Sequence, residues 1–242
     1  MSDFLMVLTL ALLPAGGNLV GSLLAEWIRV PSWAIGAALH AAAGVAIAVV
    51  SVDMMPRALE TLPGWLLAIA FGCGAAFSIM LKWGVDWGRH HVSTGSAGAW
   101  MVYMAVATDL LSDGLMIGAG SAIASGLGLL LGLSQVVGNV PGGFAAMANF
   151  SDEGVSRRTR LMIAASFVLP VLLGASVGFW LLRGAGSIVE SAALAFIIGV
   201  LLLATIEDLV PQADEPGAVR WLSTISFSAG FAFLVLLSSY LG

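Results

Sequence analysis

The sequence predicts an all-α, polytopic membrane protein whose eight helices cross the bilayer. Of its 242 residues, 60% are hydrophobic and 10% are charged, whereas a soluble domain is typically about 25% charged. The mean hydropathy is +1.02. Eight apolar runs are each long enough to span the hydrocarbon core, which takes roughly 20 residues.

Short loops separate the predicted helices, so we expect a single transmembrane domain over residues 1–242. The longest polar stretch, 84–98, is expected to be a mobile loop. No basic segment precedes the first run, which favours a retained helix over a cleaved signal peptide. The predicted helices are 4–27, 33–55, 64–82, 98–123, 127–149, 160–182, 187–209 and 219–241.

The basic residues predict the orientation, because cytoplasmic loops are enriched in Lys and Arg. With both termini outside, only Arg57 and Arg183 of the nine basic residues lie outside the cytoplasm. The expected location is a bacterial inner (plasma) membrane. The residues then placed at the cytoplasmic side are Arg29, Lys82, Arg89, Arg157, Arg158, Arg160 and Arg220.

Two aspartates of the fourth predicted helix indicate a cation site. Asp109 and Asp113 stand four residues apart, which places both on one helix face. A charge in hydrocarbon costs roughly 2.5–3.5 kcal/mol on insertion scales, and no Lys or Arg in this helix offsets it. The alternative is a pair of structural acids, hydrogen-bonded or protonated in the core.

The fifth predicted helix adds neutral oxygen ligands beside a proline. Pro141 has no N–H, so the carbonyl of Val137 loses its partner within the helix. Freed carbonyls at membrane depth are tolerated where they line a cavity or meet a ligand. Gln135 and Asn139 share one face, and we predict that they bind the cation. The alternative is a kink with an interhelical amide bond.

Acids also precede a proline in two other helices. The second predicted helix ends with Asp53 before Pro56, and the seventh ends with Glu207 and Asp208 before Pro211. These helices run in opposite directions, as in an inverted repeat in which helices 1–3 match 6–8 around the pair 4–5. Transporters are often built in this way. Asp53 outside and Glu207 and Asp208 inside would extend a path of carboxylates, unless they are ordinary solvated helix ends.

These residues resemble the ZIP family of divalent-metal transporters over most of the chain. The acid–x–x–Pro endings of the second and seventh helices are similar to the family's, and 109–114 takes the place of its His-Asn-x-Pro-Glu-Gly signature. The Asn-x-Pro-x-Gly frame of 139–143 is the most specific match. The resemblance implies a 3+2+3 arrangement of eight helices, both termini outside, and transport of a divalent metal cation.

The chain departs from that family at the ligand positions. Asp109 and Asp113 replace the histidine and the glutamate of the fourth helix, and Gly138 and Gly142 replace those of the fifth. Leu169 stands where the sixth helix of the family often has a glutamate. The ligands that remain are all oxygen, which suits Mg, Ca and Mn better than late transition metals. Zn, Mn, Fe, Cd and Mg all stay candidate substrates.

The predicted function is transport of a divalent cation along an acid-lined path between helices 2, 4, 5 and 7. One alternative is a ZIP-like membrane protein that has lost transport and binds metal or regulates. A second is an intramembrane enzyme, which we do not expect because no Gly-x-Gly-Asp sequence and no suitable serine–histidine pair is present. The expected partners are the cation and the lipid bilayer, with a homodimer as one option. Without a basic stripe, nucleic acid is not expected.

Overall fold

A computed structural model describes residues 2–28, 31–91, 97–214 and 219–241. Over these residues the chain folds into helices joined by short turns. Eight of the helices are long and apolar enough to cross a membrane. The prediction of an all-α, multi-span protein is therefore confirmed.

The eight spanning helices are named α1 to α8 in chain order. Five of them are uninterrupted, and three consist of consecutive segments. The uninterrupted ones are α1 (Ser2–Trp27), α3 (Gly64–His91), α4 (Ala97–Ile123), α5 (Ser125–Asp152) and α8 (Arg220–Leu241). The segmented ones are α2 (Ser32–Ala48, Val49–Met54, Met55–Thr61), α6 (Arg157–Ser166, Val168–Leu182) and α7 (Ser187–Ala204, Thr205–Leu209, Val210–Ala213).

The polar stretch predicted as a loop at 84–98 is helical over much of its length. Helix α3 continues to His91, and α4 begins at Ala97. The stretch contains no proline that would stop a helix. Residues 92–96 lie outside the described part of the chain.

The prolines of α2 and α7 do not end these helices, contrary to the sequence prediction. A π-helical turn, Val49–Met54, precedes Pro56, and a second, Thr205–Leu209, precedes Pro211. A proline ring removes one N–H and collides with the carbonyl four residues earlier in an α-helix. The wider i→i+5 register of a π turn changes which carbonyl faces the ring. Both helices can therefore continue past the proline.

Four pairs of helices make the most extensive contacts: α1 with α5, α4 with α6, α2 with α8 and α3 with α7. In each pair, a glycine lies against the partner's backbone, and the partner contributes a glycine in return. A methyl group on any of these glycines would lie 1.8–2.2 Å from a carbonyl oxygen of the facing helix. The reciprocal glycines are Gly21 and Gly143, Gly114 and Gly174, Gly118 and Gly178, Gly44 and Gly230, and Gly74 and Gly199.

Buried apolar side chains form two clusters that share the central helices α4 and α5. One cluster is built by α1, α4, α5 and α6 around Phe150 and Phe167. The other is built mainly by α2, α4, α5, α7 and α8 around Met54 and Ile198. Because α4 and α5 also pack against each other, polar side chains on their facing surfaces lie inside the helix bundle.

A methyl group at a contact glycine should destabilise the fold. Gly174→Ala would place Cβ 2.1 Å from the carbonyl oxygen of Leu111, so α4 and α6 would have to separate. Overpacking of this kind costs about 1–3 kcal/mol. The control is Gly72→Ala in α3, where nothing lies within 4 Å of the new methyl. Thermal unfolding in detergent should show a lower midpoint for Gly174→Ala alone, and equal midpoints would contradict the packing.

Candidate functional site

Two of the predicted site residues, Asp113 of α4 and Asn139 of α5, are in direct contact. The Nδ2 group of Asn139 donates to Oδ2 of Asp113 at 2.6 Å and to the backbone oxygen of Gln135 at 2.9 Å. Asp113 is 6% exposed and Asn139 is 4% exposed. They lie near the middle of the candidate spans Val102–Ile123 and Gly126–Asp152. A carboxylate and an amide are therefore paired deep inside the bundle.

Asp109 lies one turn from Asp113 but is exposed rather than buried. Its carboxylate is close enough to Asp113 and to Asp208 of α7 to interact with both through charge. Asp109 is thus an acid within a span that interacts through charge with an acid of a second helix, α7. Asp109 therefore borders the buried pair on the side of α7.

Two buried carboxamides near this pair have no hydrogen-bond partner among the described residues. Gln135 precedes Asn139 by one turn on the same face and is 6% exposed, and neither its Nε2 nor its Oε1 is bonded. Asn18 of α1 is 0% exposed, and its Nδ2 and Oδ1 are likewise unpartnered. Sequence reasoning missed Asn18. The available signal was that it is the only carboxamide in the apolar helix α1.

At Gly138 and Gly142 of α5, a Cβ would meet its neighbours without a clash. A Cβ at Gly138 would come no closer than 3.7 Å, to Cβ of Ala42. A Cβ at Gly142 would meet only Val106 at 3.9 Å and the Nδ2 of Asn18 at 4.0 Å. These contacts are ordinary van der Waals distances, unlike those of the packing glycines. The face of α5 that carries Gln135 and Asn139 therefore has room for a Cβ at either glycine.

Asp53 lies in the π turn of α2, apart from the central pair. It is 8% exposed, and its Oδ1 accepts a hydrogen bond of 2.9 Å from the hydroxyl of Ser238 in α8. Its Oδ2 is buried without a partner among the described residues. Because α2 continues to Thr61, Asp53 is not a solvated helix end.

Glu207 and Asp208 in the π turn of α7 are both paired with Lys82 of α3. The ammonium donates to the backbone oxygen of Glu207 at 2.8 Å, and it lies 3.3 Å from Oε2 of Glu207 and 3.1 Å from Oδ1 of Asp208. From the sequence, Lys82 is predicted only as a basic charge at the cytoplasmic end of a helix. In the structure it is the counter-ion of the two α7 acids.

The acids predicted to line one path therefore lie on three different helices: Asp53 on α2, Asp109 and Asp113 on α4, and Glu207 and Asp208 on α7. Within the described part of the chain, no three His, Cys, Asp or Glu side chains come together as a metal-binding group. The centre instead combines two carboxylates, Asp109 and Asp113, with the carboxamides of Asn139, Gln135 and Asn18. Such a set could bind a hard cation through oxygen, or hold a proton between its carboxylates.

The fold and these residues define a class: a multi-span membrane protein with a few buried acidic side chains. The chain matches no protein-family model and no curated protein sequence. Its function must therefore be inferred from the geometry of its own residues.

Loss of the Asn139 amide should destabilise the protein through Asp113. Asn139→Leu removes the donor to a buried carboxylate, and an unsatisfied buried group costs about 1–3 kcal/mol. Replacing both partners by apolar residues can be nearly neutral, so Asn139→Leu should cost much less in an Asp113→Leu background. A double-mutant cycle on unfolding in detergent measures this difference. Additive effects of the two substitutions would contradict the contact.

Proposed function

We propose that the protein carries a divalent cation across the membrane through a central site at Asp113 and Asn139. The observation that carries this proposal is the buried carboxylate of Asp113 at mid-span, with a second acid, Asp109, one turn away. Intramembrane acids are costly and are usually found on ion or proton pathways. A bound cation would offset the charge of both carboxylates.

The donor set favours a hard cation. Asp109 and Asp113 supply carboxylate oxygens, and Asn139 and Gln135 supply amide oxygens. Carboxylate and carbonyl ligands suit Mg, Ca and Mn, whereas imidazole and thiolate favour Zn and other late metals. Zn, Fe and Cd remain candidate substrates, because carboxylates bind them too. Since metal-bound carboxylates must be deprotonated, binding should weaken at low pH.

The path proposed for the cation runs between α2, α4, α5 and α7. Asp109 lies between the central pair and α7, because its carboxylate interacts through charge with that of Asp208. Asp53 in the π turn of α2 offers a carboxylate oxygen without a partner among the described residues. At the α7 end, a cation that reached Glu207 and Asp208 would have to displace the ammonium of Lys82. We therefore infer that Lys82 shares the acids of α7 with the moving ion.

An inverted repeat is supported by the way the helices pair. Matching α1–α3 with α6–α8, and α4 with α5, converts the α1–α5 contact into α6–α4 and the α2–α8 contact into α7–α3. Both π turns precede a proline at matching positions. Gly44 precedes Asp53 by as many residues as Gly199 precedes Asp208. We infer a 3+2+3 repeat, and on this ground a divergent member of the ZIP-like transporters.

A second candidate is a protein of the same fold that binds a cation without transporting it. Two observations favour it: Lys82 already pairs with both acids of α7, and glycines occupy the two α5 positions where the resemblance predicts ligands. A regulatory or sensing role would need the central site but no continuous path. Flux measurements separate the two candidates.

Removal of either central carboxylate should weaken cation binding. Asp113→Asn and Asp109→Asn are each expected to lower Mn²⁺ affinity and flux at least tenfold, about 1.4 kcal/mol, because no other charge replaces the lost ligand. Asp152→Asn, at an exposed acid at the end of α5, is the matched control and should behave like the parent. Binding is measured on purified protein, and flux is measured in proteoliposomes.

The outcomes of this experiment separate the proposals. Parent-like binding by both central variants, at normal folded yield in size-exclusion chromatography, would overturn the central site. Binding without flux in the parent protein would favour the regulatory candidate over transport.

A further inference from the structure

Asn18 is a carboxamide held inside the bundle with no partner for either of its polar atoms among the described residues. It is 0% exposed. A buried donor or acceptor left unsatisfied costs about 1–3 kcal/mol, so such groups are rare in native structures and need a reason. An apolar residue at this position would avoid that cost, which points to a use for the amide.

The backbone of α1 is fixed against α5 on both sides of Asn18. A Cβ on Gly17 would touch the carbonyl oxygen of Val136, and a Cβ on Gly143 would touch the backbone oxygen of Asn18 itself. One turn further along α1, the hydroxyl of Ser22 donates to the carbonyl oxygen of Gly143 at 3.3 Å. Because the two helices are in backbone contact, the Asn18 side chain is held at the surface of α5.

The amide of Asn18 is placed beside the central site. Its Nδ2 would lie 4.0 Å from a Cβ at Gly142, and Gly142 shares a helix face with Asn139 and Gln135. Three residues separate Gly142 from Asn139, so the two lie only about 4.5 Å apart along the α5 axis. The Asn18 amide therefore lies beside Gly142, within one helical turn of Asn139 on α5.

The polar side chains of this region include three carboxamides. Asn18 and Gln135 are both buried carboxamides without partners among the described residues, and Asn139 is a third carboxamide bonded to Asp113. Neutral carbonyl oxygens and a carboxylate are the donors that hard divalent cations prefer. An interhelical hydrogen bond would fix the orientation of an amide. An amide without such a bond can turn its oxygen toward a cation.

We propose that Asn18 of α1 is a further cation-binding residue of the central site. Its amide oxygen favours hard divalent cations such as Mn²⁺ relative to Zn²⁺. This role rests on the proposed function and adds to it a ligand from a third helix, α1, and a preference among substrates. The amide oxygen of Asn18 would enter the ligand shell from the side of Gly142.

The test uses the full-length protein, purified in detergent and titrated separately with Mn²⁺ and Zn²⁺. Asn18→Leu keeps the size of the side chain and removes the amide, so Mn²⁺ affinity should fall at least tenfold and Zn²⁺ affinity should fall less. Asn18→Asp adds an anionic ligand and should raise Mn²⁺ affinity. Thr9→Ala, which removes an exposed hydroxyl bonded to the backbone of α1 itself, is the control on the same helix, and its Mn²⁺ affinity should stay within about twofold of the parent.

Unfolding without metal distinguishes a ligand from a structural residue. If Asn18 is a ligand, Asn18→Leu should raise the thermal midpoint of the metal-free protein, because an unsatisfied buried amide is removed. A structural amide would give a lower midpoint and parent-like Mn²⁺ binding, which would overturn the proposal. Should Asn18→Leu fail to fold, Asn18→Asp decides: unchanged or lower Mn²⁺ affinity in a folded variant overturns the role of Asn18.

Asp113→Asn, measured beside these variants, separates the role of Asn18 from the proposed cation site at Asp113. Loss of Mn²⁺ binding in Asp113→Asn with parent-like binding in Asn18→Leu would refute the role of Asn18 and leave the central site intact. A parent protein that binds neither Mn²⁺ nor Zn²⁺ would overturn the proposed function and the role of Asn18 together.

Discussion

The burial of the Asp113 carboxylate at the middle of a membrane span is the constraint on which the rest of the site depends. Taking a charge out of water costs several kcal/mol unless hydrogen bonds or an opposite charge offset it. Asp113 accepts from the amide of Asn139 at 2.6 Å, and within the described part of the chain no Lys, Arg or His is paired with it. A neutral donor satisfies one oxygen but leaves the charge, so the geometry suits a site that a mobile cation completes.

Helix packing explains why the polar residues meet at this point. In lipid, helices associate through close packing of small residues rather than through a hydrophobic driving force. The α1–α5 pair is brought into backbone contact by Gly21 and Gly143, which carries Asn18 to the polar face of α5. The same device joins α4 to α6 and leaves the other side of α4 facing α5. Glycine contacts at the periphery thereby set the positions of the central side chains.

The two π turns connect this packing to the acids outside the centre. Each turn lets a helix pass a proline and carries an acid at the altered register: Asp53 in α2 and Asp208 in α7. The two acids have different partners, because Asp53 accepts from the hydroxyl of Ser238 whereas Asp208 pairs with the ammonium of Lys82. The two π turns are therefore alike in backbone and unlike in the charge of the groups that pair with their acids.

The sequence was sufficient to predict the helices and part of the site. The hydropathy pattern identifies segments that can lie in lipid, so it predicts the spanning helices. The four-residue spacings of Asp109 and Asp113 and of Gln135 and Asn139 predict that each pair shares a helix face. The continuation of α2 beyond Pro56 was missed, because proline normally ends an α-helix and no local signal marks a π turn. Asn18 was missed because a single amide in an apolar run has no periodic pattern. The pairing of Lys82 with α7 depends on the tertiary arrangement, which a charge count cannot give.

The proposed cation site lies between α4 and α5 at the middle of the membrane. Anomalous X-ray scattering from crystals grown with Mn²⁺ tests it most directly. We expect a Mn²⁺ peak within coordination distance of the Asp113 carboxylate, about 2.0–2.6 Å for hard cations, with amide oxygens of α5 completing the shell. Mn²⁺ found only at surface acids, with none beside Asp113, would contradict it.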